Sequence, residues 1–189
     1  MLIRPRRRLR LSSFDYREAG WYFVTICTED RKHSFGEIVD GELVPTALGS
    51  LVDACWRDLP AHHPHVVLDA YVVMPNHLHG LLEVPERTTV LPATSPVAPG
   101  ALGAVVRSFK SAVTRRFRQL HPGSAATIWQ KNYYEHVVRD HDSVERIRWY
   151  IASNEERWHL DAENRLRTGF DPFESWLDRQ GDRPVKAKS

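Results

Sequence analysis

Apolar and polar positions along the chain change period several times, and each change marks an element. Residues 21–28, WYFVTICT, are aromatic and β-branched throughout, which predicts a strand buried on both faces. Asp40-Gly41 stands between two short apolar runs, a hairpin signal. Thr46 then predicts the cap of a helix over about 47–59, with Leu48, Leu51, Val52 and Cys55 on one face and Pro60 ending it. HVVLDAYVVM (65–74) reads as a second long strand. HGLLEV (79–84) reads as a third, antiparallel to it if Pro75-Asn76 makes the turn. Residues 85–100 hold four prolines and no period, hence a loop. Helical spacing returns at Leu102, Val105, Val106, Phe109, Val113 and Leu120. YYEHVV (133–138) reads as a fourth strand. A last helix over about 144–158, capped by Asp142 or Ser143, puts Val144, Ile147, Ile151 and Trp158 on its apolar side.

The order strand, helix, strand, strand, helix, strand, helix predicts an α+β fold. We expect a ferredoxin-like antiparallel sheet with helices packed on one face, in a single domain. The domain is expected over 14–160, after a basic arm at 1–13 and before an irregular tail at 161–189. At 189 residues, 42% apolar and 26% charged, the composition is that of an ordinary globular chain. The net charge is only +2, so charge alone does not select nucleic acid as partner. Its distribution says more: arginines, Arg7 and Arg8 among them, crowd residues 4–10. Arg107, Lys110, Arg115, Arg116 and Arg118 crowd one helix. Cys27 and Cys55 have no metal or redox spacing and read as buried thiols in a reducing compartment. No apolar h-region follows the basic start and no stretch is long enough to span a bilayer, so a cytoplasmic location is expected.

The candidate chemistry lies in VVMPNHLHGLL. Residues i and i+2 of a strand share a face, so His77 and His79 project together while Leu78 turns to the core. Two imidazoles on one face can share a divalent cation or grip a phosphate. His62-His63-Pro64-His65 is denser in histidine but lies in a helix-to-strand loop and reads as surface. On the last helix Tyr150 and Asn154 are i,i+4 neighbours flanking the apolar stripe. A phenol, two imidazoles and an amide oxygen form a coherent set for attack on a phosphodiester. Tyr133 and Tyr134 are rival nucleophiles, set aside because no oxygen ligand accompanies them at helical spacing. Trp129 reads as core, and His136 as a secondary site residue. Arg107, Lys110 and Arg118 fall near one face of their helix and could track a DNA backbone.

In order along the chain stand FDYREAGWYFVTICTEDRKHSFGEI, YVVMPNHLHGLLEV, FKSAVTRRF, IWQKNYYEHVVRD and RIRWYIASN. Through these motifs, over roughly residues 14–160, the chain resembles the REP-associated tyrosine transposases, a branch of the HUH single-tyrosine transposases that act on single-stranded DNA. The resemblance implies that His77 and His79 bind Mg²⁺ or Mn²⁺, that Tyr150 is the nucleophile, and that Asn154 completes the metal site. It implies cleavage of single-stranded or hairpin DNA of palindromic repeats through a 5′-phosphotyrosine, in the bacterial nucleoid. The family usually has proline after this asparagine. Here Glu155 follows, so the helix is expected to run on, with Glu155 or Glu156 as substitute oxygen donors. Two other classes compete: a non-catalytic hairpin-binding protein derived from such an enzyme, and a phosphodiesterase using activated water with Tyr150 structural. Monomer or homodimer is left open.

Overall fold

The structure, a computed structural model, describes residues 19–85 and 101–181. The arginine arm with Arg7 and Arg8, and most of the proline-rich segment, lie outside them.

Four strands form the main sheet: β1 (Gly20–Cys27), β4 (Val67–Met74), β5 (His77–Val84) and β6 (Tyr134–Val138), in the spatial order β4-β5-β1-β6. Every neighbouring pair is antiparallel. Strands adjacent in sequence, β4 and β5, are joined by the tight Pro75-Asn76 turn. β1 inserts between β5 and β6, which gives the ferredoxin-like strand order. A separate hairpin pairs β2 (Gly36–Val39) with β3 (Glu42–Pro45). Its Asp40-Gly41 turn has φ of 52° and 85°, the two positive values that a two-residue hairpin turn requires.

The period-2 alternation of β1 and β5 sends two sets of side chains to two helical layers. Tyr22, Val24, Ile26, Leu78 and Leu82 pack under α1 (Ala47–Arg57) and α3 (Ala101–Leu120), against Val52, Trp56, Val106 and Phe109. Phe23, Leu81 and Val138 face the other way, against Val144, Ile147 and Ile151 of α4 (His141–Ala152) and Phe173 and Leu177 of α5 (Pro172–Gly181). Helices therefore cover both faces of the sheet, not one. The central strands are apolar on both sides for that reason, and a one-faced arrangement would have left Phe23 and Leu81 in water.

Several element boundaries differ from the sequence reading. Thr46 does cap α1, its hydroxyl accepting from Gly49 N at 3.1 Å. Pro60 does not end a helix; α1 stops at Arg57, and Pro60 lies in the first turn of the short α2 (Leu59–His62), where its missing N–H costs nothing. The cap of α4 is Asp140, which accepts from Ser143 N at 2.8 Å, and α4 stops at Ala152. The tail is not irregular throughout: α5 lies within it.

Candidate active site

His77 and His79 stand on β5 opposite Cys27 and Thr25 of β1, on the face that α4 covers. Their ring centroids are 4.3 Å apart. Phe23 stacks on His79 from the same face at 5.2 Å. The glycine that closes HLHG serves the opposite face: a Cβ at Gly80 would lie 2.3 Å from the Trp56 ring, so only glycine lets that indole lie on the strand.

Tyr150 reaches the histidines from α4. Its hydroxyl is 3.3 Å from His79 Nε2 and donates to Asp161 Oδ2 at 3.0 Å. Asp161 sits between the rings, with Oδ2 at 3.8 Å from His77 Nε2 and 3.5 Å from His79 Nε2. An Asx turn aims it there: its Oδ1 accepts from Glu163 N at 2.6 Å. Asn154 arrives by a route other than the one expected. It lies two residues beyond the end of α4, in a turn, and its Nδ2 donates to the same Asp161 oxygen at 3.2 Å. None of His77, His79, Tyr150, Asn154 and Asp161 is more than 3% exposed.

Burial, then the charge and hydrogen bond of Asp161, push the Tyr150 phenol well above its ordinary pKa, so the hydroxyl keeps its proton. Burial alone would raise Asp161. The His77 ring, the His79 hydrogen bond and charge, and the Glu163 N–H outweigh it and hold the carboxyl below the usual range, ionised.

The residues fit a divalent cation. Donor atoms of His77, His79 and Asp161 all lie within 4.8 Å of one another. The buried Asn154 Oδ1 has no hydrogen-bond partner among the described residues, which an amide oxygen tolerates poorly unless a cation or water completes it. Imidazole nitrogens with a carboxylate and an amide oxygen form a mixed nitrogen–oxygen donor set that a divalent cation accepts.

Sequence reasoning named His77, His79, Tyr150 and Asn154, and the structure brings all four together. It missed Asp161, Thr25 and Asn76. The available signal for Asp161 was the polar run Asp161, Glu163, Asn164 beside Trp158 and Leu160, which an irregular tail has no reason to bury. The substitute donors are placed elsewhere: Glu155 Oε1 accepts from Leu43 N at 3.2 Å, and Glu156 is exposed beside Gly41. Trp129 is core, its Nε1 donating to Lys110 O. His136 is buried on the site's side of the sheet, opposite Phe23 in register, and is not among the groups bonded to Asp161.

The basic residues of α3 are not brought to the histidines. α3 covers the opposite face of the sheet. Arg107 and Arg118 are exposed there, and Arg115, Arg118 and Lys110 line a shallow groove. Lys110 is already engaged: its ammonium donates to Gln130 O at 2.8 Å and Asn132 O at 3.1 Å, and burial lowers its pKa to about 8. Arg116 is held by Asp58 and Cys55. Cys27 and Cys55 are both buried free thiols. No helix among the described residues is long and apolar enough to cross a membrane.

No protein-family model matches the chain. An uncharacterized protein of Haemophilus influenzae is 37% identical over 171 residues, covering 84% of this chain and 93% of that protein. A second protein of the same organism, provisionally named a REP-associated tyrosine transposase, is 22% identical over 144 residues, 74% of this chain and 72% of that protein. A solved REP-associated tyrosine transposase bound to a REP hairpin shares the fold, with a TM-score of 0.51 and 18% identity over 90% of this chain and 86% of that one. The chain thus has the mixed α/β fold of that solved structure. The named relatives are a REP-associated tyrosine transposase and a protein provisionally so named.

Proposed function

We propose that the protein is a metal-dependent single-strand DNA endonuclease and strand-transfer enzyme that acts on hairpin DNA through a covalent bond to Tyr150. One observation carries the reading: the Tyr150 hydroxyl from α4 and two imidazoles from β5 converge on one carboxylate oxygen, Asp161 Oδ2, at 3.0 Å, 3.8 Å (His77) and 3.5 Å (His79). A structural tyrosine has no need of such company.

His77, His79 and Asp161, with the Asn154 amide oxygen, would hold a divalent cation, which when bound supplies Lewis-acid polarisation of the scissile phosphate. Tyr150 supplies the nucleophile. Its hydroxyl proton is released to water, since Asp161 would be engaged as a cation ligand, and the phenolate oxygen attacks phosphorus. The P–O3′ bond breaks, the departing 3′-oxygen takes up a proton, and the 5′ end remains on Tyr150 as a phosphotyrosine. Strand transfer is the same exchange in reverse, with another 3′-hydroxyl displacing the tyrosine.

The exposed arginines of α3, Arg107 and Arg118, would meet the DNA at a distance from the reacting phosphate, since the sheet separates them from Tyr150. A hairpin stem held against α3 with its single strand passing to the other face satisfies both requirements. Arg7 and Arg8 would add phosphate contacts of the same non-specific kind. The site of action is the bacterial chromosome, in the cytoplasm.

The test is a gel assay with labelled single-stranded hairpins. A nick and a labelled protein band that require Mg²⁺ or Mn²⁺, vanish with chelator and vanish in Tyr150→Phe are expected. A nick that survives in Tyr150→Phe would point to activated water. Hairpin binding with no nick under any metal would leave a binding protein.

A further inference from the structure

Asn76 immediately precedes the histidine pair and is completely buried. Its Nδ2 donates to Glu163 O at 2.9 Å and to Arg31 O at 3.2 Å. Both partners are carbonyl oxygens and can only accept, so the amide nitrogen must face them. That leaves the amide oxygen toward His77 Nδ1, at 2.8 Å. An amide oxygen only accepts, so Nδ1 must carry a hydrogen. A neutral imidazole has one N–H, and with it on Nδ1 the lone pair stands on Nε2. Nε2 is the atom that faces Asp161.

We propose that Asn76 is a positioning residue: it locks His77 in the Nδ1–H tautomer and so presents Nε2 as the cation-binding atom. The assignment rests on the metal-dependent reading above and deepens it. Metal-bound histidines commonly donate their other N–H to a fixed acceptor, which sets both the tautomer and the ring angle. Here the acceptor is itself fixed from two sides. Glu163 lies two residues from Asp161, and Arg31 lies just beyond β1, so one amide sets the His77 ring relative to the carboxylate and to the sheet at once. Thr28 completes the hold, its N–H donating to the Asn76 carbonyl at 2.9 Å.

His79 is held differently. Its Nδ1 meets the Thr25 hydroxyl at 3.0 Å and its Nε2 meets the Tyr150 hydroxyl at 3.3 Å. The Tyr150 hydroxyl has given its hydrogen to Asp161 and can only accept, so without a cation His79 Nε2 carries the hydrogen; the Thr25 hydroxyl can donate or accept, so the ring can move that hydrogen to Nδ1 when a cation takes Nε2. The pair therefore combines one locked ring with one that can exchange partners beside the nucleophile.

The experiment uses the full chain labelled with ¹⁵N-histidine. Long-range ¹H–¹⁵N spectra of the metal-free protein, at a pH where His77 is neutral, report which ring nitrogen carries hydrogen. Calorimetry reports Mn²⁺ affinity, and thermal melting reports stability. The wild type is expected to show His77 as Nδ1–H. Asn76→Asp keeps an acceptor for Nδ1 and loses both donated bonds, so it should melt lower yet keep the tautomer and bind Mn²⁺ close to wild type. Asn76→Ala loses the acceptor as well, and should mix tautomers and bind Mn²⁺ roughly 10–100-fold more weakly. Equal Mn²⁺ losses in both variants, in step with their melting temperatures and with no change of tautomer, would mean that Asn76 is merely structural. An Nε2–H signal for His77 in the wild type would overturn the proposal without any variant. The spectra and the Mn²⁺ titration need no DNA, so a wild type that shows Nδ1–H and binds Mn²⁺ but forms no adduct would support this assignment while the reading of Tyr150 fails.

Discussion

The Tyr150 hydroxyl donates to a carboxylate that two imidazoles also face, and every member of the group is buried. The phenol therefore stays protonated until a cation or a substrate phosphate changes the balance at Asp161. His77 and His79 could be read from sequence because a period of two admits no other placement once the strand is recognised. Asp161 could not, because the contact it makes crosses an irregular turn that carries no period. His136 is a different case: a histidine buried on the site's side of the sheet, opposite Phe23 and not bonded to Asp161. Burial, and then the Arg139 charge against a weaker opposing Asp140, lower its pKa from the ordinary 6.5 to about 4. Between those values the unfolded chain binds a proton that the folded chain refuses. His136 thus costs no stability above pH 6.5, and stability drains away as the pH falls toward 4, by about 3 kcal/mol over the whole window. Urea unfolding of wild type and His136→Gln at pH 7 and pH 5 checks this. The wild type should lose more between the two pH values than the variant does, whatever the substitution costs at pH 7; equal losses would contradict the assignment.

At the scale of elements, the segment after α4 changes most from the sequence reading. The helix was expected to run to residue 158 because proline is absent after Asn154. It ends at Ala152 all the same, since the residues that follow are recruited by Asp161, Asp171 and β3: Asn154 by Asp161, Arg157 by Asp171 at 2.9 Å, and Glu155 by Leu43 N. Tertiary bonds override a local tendency that was weak to begin with. The start of α5 was legible in principle. Asp171 accepts from Phe173 N at 2.8 Å and Pro172 opens the helix, an N-cap aspartate followed by proline at the first position. Against it stand Gly169, Pro172, Gly181 and a basic end, which together read as an irregular tail. Phe173 stacks on Tyr150 with ring centroids 3.8 Å apart and meets Phe23 edge-on. Phe173→Ala is expected to cost about 3 kcal/mol in urea unfolding, the order usual for emptying a buried aromatic site, and to raise hydrogen exchange across α5. A loss below about 1 kcal/mol would mean that α5 does not depend on this stack.

At the scale of the molecule, strand order and element sequence followed from alternation and turn chemistry, and the α+β class with them. The distribution of helices over two faces did not, although the evidence lay in the double-sided apolarity of β1 and β5. That distribution decides the architecture of function. One face of the sheet carries α1, α3 and the exposed Arg107 and Arg118; the other carries α4 with its exposed Arg146, α5 and the histidines. The tyrosine and its ligands are thereby shut off from the basic helix, and a nucleic acid that uses both must pass from one side of the sheet to the other. The central claim is that Tyr150 is the residue that becomes bonded to DNA. Mass spectrometry of a proteolysed reaction with hairpin DNA and Mn²⁺ tests it most directly. The nucleotide-bearing peptide is expected to contain Tyr150, with the fragment ions placing the phosphate on that side chain. A modified peptide from residues 133–134, or no covalent peptide in a reaction that nicks the hairpin, would contradict it.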